Sequence, residues 1–418
     1  MTLLDDARQL HDDLRAFRRA MHQEPEIGLD LPRTQEKVLA ALDGLALETS
    51  TGTRTTSVTS VLRGGAGRAG GAGRAVGTAG AGGDRPVVLL RADLDALPVH
   101  ELADVDYRSR IDGAMHACGH DLHTAMLVGA ARLLDARRDE LPGDVVLMFQ
   151  PGEEGYAGGR IMVEEGVLDA AGRRVDAAYG MHVFSAIEPF GTFVTKPGAM
   201  LAASDGFFVT LRGRGGHGSA PHLAQDPVPA AAELVTALQT AVTRTFSVFD
   251  PVVVTVGLLQ AGTKANVIPD EAHLEATVRT FSREQRDLAA ATLPRIAEGI
   301  AAAHGLEIDV RYVEEYPVTA NTPAEADLAR RTIETLFAGE PHRHTRWVDP
   351  LAGSEDFSFV LREVPGAFVG LGATAPGVDP RTADYNHSPR ATFDDGVLAD
   401  GAAVYAQLAI DKLTELAA

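Results

Sequence analysis

The chain opens on a helical period. In MTLLDDARQLHDDLRAFRRAMHQ, Leu3, Ala7, Leu10, Leu14 and Phe17 recur on one face with charges between them, which predicts an amphipathic surface helix. The period then changes. Apolar, β-type runs at TTSVTSVL (55–62), VVLLRAD (87–93), DVVLMFQ (144–150) and DAAYGMHV (176–183) predict strands buried on both faces. Between the second and third, HTAMLVGAARLLDARRDEL (123–141) reads as a helix closed by Pro142-Gly143. Helical patterns near 323–338 and 394–416, around a strand-like GAFVGLG (366–372), continue the alternation. Together they predict an α/β domain whose central, mostly parallel sheet is flanked by helices.

The middle of the chain has another texture. FFVTLRGRG (207–215), VVVTVGLLQ (252–260) and HLEATVRTF (273–281) are strands rich in Val and Thr, separated by helices at about 227–245 and 283–303. This β-α-β-β-α order predicts a smaller α+β domain inserted at 196–312, which splits the larger domain into 1–195 and 313–418. The glycine-rich stretch RGGAGRAGGAGRAVGTAGAGGDRP (63–86) contains a formal GxGxxG beginning at Gly65. No apolar helix follows it, so it reads as a flexible loop between two strands and not as a nucleotide site.

Composition narrows the function classes. With 38 Lys and Arg against 58 Asp and Glu, the formal charge is −20, and no run of Lys or Arg interrupts it. Nucleic acid and anionic membrane are therefore not expected as partners. No stretch approaches 18 consecutive apolar residues, and the N-terminal pattern lacks the unbroken apolar middle of a signal sequence. A soluble, cytoplasmic protein is expected. Cys118 is the only cysteine, which excludes an intramolecular disulfide and fits a reducing compartment.

The densest polar cluster is Met115-His116-Ala117-Cys118-Gly119-His120-Asp121-Leu122-His123, just before a helix. A thiolate among imidazoles suits a borderline-soft divalent cation, and Cys118 and His120 on an irregular turn can face one centre. The competing reading is a helix cap with a buried cysteine. Further polar residues stand at predicted strand ends: Asp93 after VVLLR, Glu153-Glu154 after DVVLMF, and His182 after DAAYG. Ligands of open α/β sheets bind at the carboxyl ends of strands, so these sites are expected to converge. Adjacent carboxylates diverge, so one can ligate a metal while the other serves as a base. His387, in Tyr385-Asn386-His387-Ser388-Pro389, and the His217 of Gly213–His222 read alone as a surface histidine and a glycine-loop histidine.

The order RADLDALP (91–98), MHACGHDLHTA (115–125), QPGEEG (150–155), GMH (180–182), GRGGHGSAPH (213–222), NVIPDEA (266–272), GSEDF (353–357) and NHSP (386–389) resembles the two-metal amidohydrolases. That family includes aminoacylase, hippurate hydrolase and the hydrolases of indole-acetyl amino acid conjugates, with carboxypeptidases and desuccinylases as broader relatives. The resemblance spans nearly the whole chain, and 63–86 looks like an insertion. It implies a catalytic domain that holds two divalent ions (Mn, Zn, Co or Ni) and an inserted lid domain that also forms a homodimer. The implied ligands are Cys118, His120, Glu154, His182 and His387, with Cys118 in the bridging place. Arg91 stands where distant relatives carry a further ligand histidine, so Asp93 is implied to support the ligands from behind.

The same resemblance implies Glu153 as the base and His217, from the lid of the partner subunit, as the group that stabilises the oxyanion. Asn266 and Arg279 match substrate-holding positions, with Arg279 facing the α-carboxylate of the product amino acid. The expected reaction is hydrolysis of an N-acyl or N-aroyl amino acid to a carboxylate and a free amino acid. A dipeptidase or carboxypeptidase of the same family is the alternative. A hydrolase using Cys118 as nucleophile and a binding relative without a metal centre are the other classes; chelator sensitivity separates the first of these from the metal reading.

Overall fold

The computed structural model describes residues 2–66 and 85–418. The expected glycine-rich loop lies largely outside the described residues. The chain divides into two compact units: Met1–Gly198 with Ala320–Val348 and Phe359–Ala418, and Ala199–Thr319 with Asp349–Ser358.

The first unit is built on an eight-stranded sheet. Its spatial order is Leu47–Thr51, Val58–Leu62, Asp144–Gln150, Val87–Asp93, Ala177–Phe184, Gly366–Gly372, Phe193–Thr195 and His344–Arg346. The strand Val87–Asp93 runs parallel to both neighbours, and Gly366–Gly372 runs parallel to Ala177–Phe184. The continuous apolar runs are buried at every position in Val87–Asp93, Asp144–Gln150 and Gly366–Gly372. Fully burying one Val or Leu side chain contributes about 1.5–3 kcal/mol, which makes these runs the anchor of the unit. Helices His120–Asp135 and Leu398–Ala417 complete the core, the first with all but two of its residues buried.

Three strands of this sheet are absent from the sequence reading: Leu47–Thr51, Phe193–Thr195 and His344–Arg346. The first, LETST, is exposed along nearly its whole length and pairs only with Val58–Leu62. An edge strand that buries nothing has no apolar signature. The other two have three residues each, too short to show a period.

The inserted unit holds a four-stranded antiparallel sheet in the order Val252–Ala261, Glu271–Thr280, Ala203–Arg212, Glu307–Tyr316. Helices Pro227–Thr245 and Arg283–His304 pack with one face of it through Leu234, Leu238, Leu293, Phe207, Leu274 and Val278. Burial alternates residue by residue along Glu271–Thr280, as one covered and one open face require. The expected insertion of 196–312 cuts through the last strand, so the structure extends this segment to Thr319. It also adds the distant segment Asp349–Ser358. There the Ala202 N–H donates to the carbonyls of Leu351 and Gly353, and the Leu351 N–H donates to the Met200 carbonyl.

Among the described residues, no helix is long and apolar enough to cross a membrane.

Candidate metal centre

Five segments of the first unit meet at the carboxyl ends of its parallel strands. The turn before helix His120–Asp135 brings Cys118 and His120; the loop after Asp144–Gln150 brings Glu153 and Glu154; Ala177–Phe184 carries His182; the NHSP turn carries His387. Asp93 closes the fifth. Two glycines make these approaches possible. Gly119 is left-handed at φ +84°, and a Cβ there would lie 2.4 Å from Val183 Cγ2, so only glycine lets the cysteine turn close on the strand bearing His182. A Cβ on Gly158 would lie 1.7 Å from the Pro151 carbonyl oxygen, which fixes the fold of the Glu153-Glu154 loop.

The donor atoms form two trios that share one sulfur. Cys118, His120 and His182 have their ligand atoms mutually within 4.8 Å, and so do Cys118, Glu154 and His387. Cys118 Sγ lies 3.4 Å from His182 Nε2 and 3.3 Å from His387 Nε2, and the latter is 3.2 Å from a Glu154 carboxylate oxygen. Bonds of about 2.0–2.3 Å in a tetrahedral shell place donors roughly 3.3–3.7 Å apart, so the trios have the dimensions of divalent-ion sites. His120 Nε2 is buried and has no hydrogen-bond partner among the described residues, an arrangement that leaves it for a cation. This polar, preformed donor set fits two metal ions.

Two of the three candidate imidazoles are aimed by their second nitrogen. His120 Nδ1 lies 2.8 Å from the Asp95 carbonyl, and His182 Nδ1 lies 2.8 Å from the Val183 carbonyl. A carbonyl only accepts, so both Nδ1 atoms donate and both Nε2 lone pairs face the centre. His123 is different. Its Nε2 accepts the Val183 N–H at 2.8 Å, so its Nδ1 carries the hydrogen and donates to Asp93 at 2.6 Å. With both nitrogens engaged, His123 is a brace and not a ligand. Asp93 also receives the buried Arg91 at 2.7 Å and stays ionised: burial alone would raise its pKa, but Arg91, His120 and His123 hold it well below the ordinary carboxylate range.

Charge in the centre follows from these neighbours. Burial opposes a positive His120, yet Asp93 outweighs it and raises the imidazole well above its ordinary value. Burial holds His182 well below its ordinary value. Without metal, Cys118 and Glu154 raise His387 to about 10. The centre opens to solvent along one side: His120 is fully buried, whereas His387 is exposed.

Two residues that sequence reasoning did not single out organise the site. Asp95 accepts the Glu153 N–H (2.9 Å) and the Glu154 N–H (3.0 Å) on its two carboxylate oxygens, while its carbonyl takes His120 Nδ1. It thus fixes two acids and one imidazole. Its signal was its place in RADLDALP, one strand-period beyond Asp93. Asn386, beside His387, bonds the Cys118 turn and the strand end at Val183 and Ser185. The expected divergence of Glu153 and Glu154 is smaller than read from sequence. Both carboxylates lie within 4.8 Å of the His120 donor atom, because the Asp95 clamp turns the loop toward the centre. Asp121 makes no helix cap: it lies in a buried network with Arg18 Nε (2.8 Å) and His22 Nδ1 (2.7 Å).

The inserted unit carries the remaining candidates. His217 pairs with Val267 on a two-stranded ribbon, and the Asn266 carbonyl accepts the Gly218 N–H at 2.9 Å, so His217 and Asn266 share one exposed ribbon. His217 Nδ1 accepts the Ser219 N–H at 3.2 Å, which leaves Nε2 as the outward N–H donor. Arg279 lies on the half-open face of its strand, and its side-chain hydrogen bond is a long one, 3.4 Å, to Ser354 Oγ. Its partial burial lowers its pKa.

Residues 89–411 match Peptidase family M20/M25/M40. The chain belongs to this family. Hippurate hydrolase of Campylobacter jejuni is 34% identical over 99% of this chain and 100% of its own. Thermostable carboxypeptidase 2 of Saccharolobus solfataricus is 34% identical over 98% of this chain and 97% of its own. Among solved structures, the dinuclear metal-binding M20 peptidase of Bacillus subtilis superposes with a TM-score of 0.79 at 32% identity, covering 97% of this chain and 99% of that one. An M20 chain with an α/β sheet unit, an inserted unit and two sulfur-sharing donor trios has the parts of a hydrolase centre.

Proposed function

We propose that this M20-family chain is a metal-dependent amidohydrolase that cleaves N-acyl or N-aroyl amino acids to a carboxylate and a free amino acid. The observation that carries the reading is Cys118 Sγ standing at the joint of the two donor trios. Cys118, His120 and His182 would hold one ion, and Cys118, Glu154 and His387 the other; thiolate, imidazole and carboxylate suit Zn, Mn, Co or Ni. When bound, such a pair supplies Lewis-acid charge that activates water and stabilises developing oxygen charge.

The chain's own residues do the rest. Glu153, anchored through its backbone by Asp95, takes a proton from water as the water oxygen attacks the amide carbonyl. It then delivers that proton to the nitrogen as the carbon–nitrogen bond breaks. His217 Nε2–H donates to the carbonyl oxygen as its charge grows. Arg279 pairs with the substrate α-carboxylate in a two-pronged ion pair, and Asn266 holds the substrate amide.

The inserted unit, as lid and dimer interface, brings His217 of one copy to the centre of the other. Support for that interface is the edge strand Val252–Ala261, which pairs with Glu271–Thr280 on one side, has no strand on its outer side among the described residues, and bears exposed Val253 and Leu259. A thiolate held as a shared ligand suits a reducing, cytoplasmic setting.

The hippurate hydrolase likeness supports the acyl-amino-acid substrate, and the carboxypeptidase likeness keeps a peptidase as the second reading. The deciding experiment strips the protein with a chelator, restores single metals, and compares hippurate, N-acetyl amino acids and Gly-Leu. Metal-restored turnover of the acyl amino acids above the dipeptide is expected. Turnover that survives chelation but not alkylation would overturn the metal reading, and a preference for Gly-Leu would overturn the substrate class.

A further inference from the structure

We propose that Asn386 is the positioning residue that sets three of the five metal ligands in one geometry, an inference that deepens the ligand assignment above and rests on it. Its side-chain oxygen accepts the Ser185 N–H at 3.0 Å and the Ser185 hydroxyl at 3.1 Å. Its Nδ2 donates to the Val183 carbonyl at 3.0 Å and the Cys118 carbonyl at 3.2 Å, and lies 3.7 Å from Cys118 Sγ. The partners fix the amide's orientation, because a backbone N–H only donates and a carbonyl only accepts.

Each contact leads to a ligand. The Val183 carbonyl that Asn386 holds is the same one that takes His182 Nδ1–H at 2.8 Å and so aims His182 Nε2 at the sulfur. The Cys118 carbonyl belongs to the residue whose sulfur serves both trios. Asn386 also carries its neighbour His387, whose φ of +73° is left-handed, a region that non-glycine residues seldom occupy. The His387 N–H closes the arrangement by donating to the Ala117 carbonyl at 2.8 Å. His120 and Glu154, by contrast, are held by Asp95. The support is therefore shared alike by both trios: each depends on Asn386 for two of its members, Cys118 with His182 in one and Cys118 with His387 in the other, and on Asp95 for the third. Groups behind metal ligands typically contribute about 10–100-fold in metal affinity.

The test compares Asn386→Ala, Asn386→Asp and His387→Ala with the unchanged protein, all loaded with cobalt. Asn386→Asp keeps an oxygen toward Ser185 but cannot donate to either carbonyl, so it separates donation from space filling. Expected for both Asn386 variants is release of cobalt at about 10–100-fold lower chelator concentration, with a weakened thiolate-to-cobalt absorption band and a folded thermal transition. Catalysis should lose kcat while KM changes by less than about threefold, since no Asn386 contact reaches substrate. Both Asn386 variants retaining cobalt and spectrum unchanged, while His387→Ala loses cobalt, would overturn the positioning role alone. His387→Ala keeping both equivalents would overturn the ligand assignment, and this inference with it. If Asn386→Ala does not fold, Ser185→Ala removes the hydroxyl that is shared between the amide oxygen at 3.1 Å and the Asp384 carbonyl at 2.8 Å, and should weaken retention by about two- to fivefold; unchanged retention there overturns the proposal.

Discussion

The two units carry their chemistry in opposite ways. In the sheet unit, the candidate donors are fixed from behind: His120 and Glu154 by Asp95, His182 by the Val183 carbonyl, and His387 by its place beside Asn386. In the inserted unit, His217 and Asn266 sit on an exposed two-residue ribbon, and Arg279 has one long hydrogen bond. A cation needs donors placed within tenths of an ångström before it arrives, and backbone partners in a buried sheet supply that. If, as proposed, His217, Asn266 and Arg279 serve a substrate, incomplete internal pairing favours them, because breaking an internal bond first would weaken the interaction gained. The comparison separates a rigid half from a receptive half, and mutations should divide along the same line.

The largest effect is expected at Glu153. Glu153→Gln should lower kcat by about 10²–10⁴-fold while both metal equivalents remain, measured by steady-state kinetics beside elemental analysis. Undiminished turnover would remove Glu153 as the base. Next comes the support of the rigid half. Asp121 is fully buried between Arg18 and His22, and Asp121→Ala should destabilise the protein by about 3–5 kcal/mol, read by denaturant unfolding. Burial opposes ionised Asp121, but Arg18 and His22 hold its pKa below the usual range. Because that folded value is depressed, its contribution is present above the unfolded carboxylate pKa and is lost as pH falls through the acid range.

In the receptive half, His217→Ala should cost about 10²–10³-fold in kcat with metal content and stability unchanged. Mixed dimers of a Glu153→Gln chain with a His217→Ala chain should regain part of the activity, since one centre then has both groups. No recovery would refute service across the dimer. Arg279→Ala should act mainly on KM, by about tenfold or more, from loss of a charge-assisted pair worth roughly 1.5–3 kcal/mol. That difference should shrink for substrates whose α-carboxylate is amidated.

The smallest effect tests the metal-free state. His387, raised to about 10 there, holds a proton at neutral pH and must lose it to ligate. Metal uptake should therefore release protons, and apparent affinity should rise with pH up to about 10. Calorimetry in buffers of different ionisation enthalpy measures this release; proton-free uptake at neutral pH would contradict it.

The chemistry-bearing residue types were legible as short motifs, and Cys118, His120, Glu154, His182 and His387 do share one place in the fold. The supports were not legible to the same degree. Asp95 and Asn386 act through hydrogen bonds to backbone groups 58 or more positions away, and no local pattern encodes such a partner. The returning segment Asp349–Ser358 was hidden for the same reason, since Leu351 pairs with Met200 and Ala202 across about 150 residues.

The sequence alone determined the buried strands, the long helices and the order of metal-seeking side chains, because apolar periodicity and donor chemistry are local properties of residues. Tertiary structure alone decided which imidazole nitrogen faces the centre, how two neighbouring glutamates turn inward, and that one sulfur joins two donor trios. Those outcomes depend on backbone carbonyls and N–H groups, which every residue carries alike and which only acquire partners once the sheet has brought distant turns together.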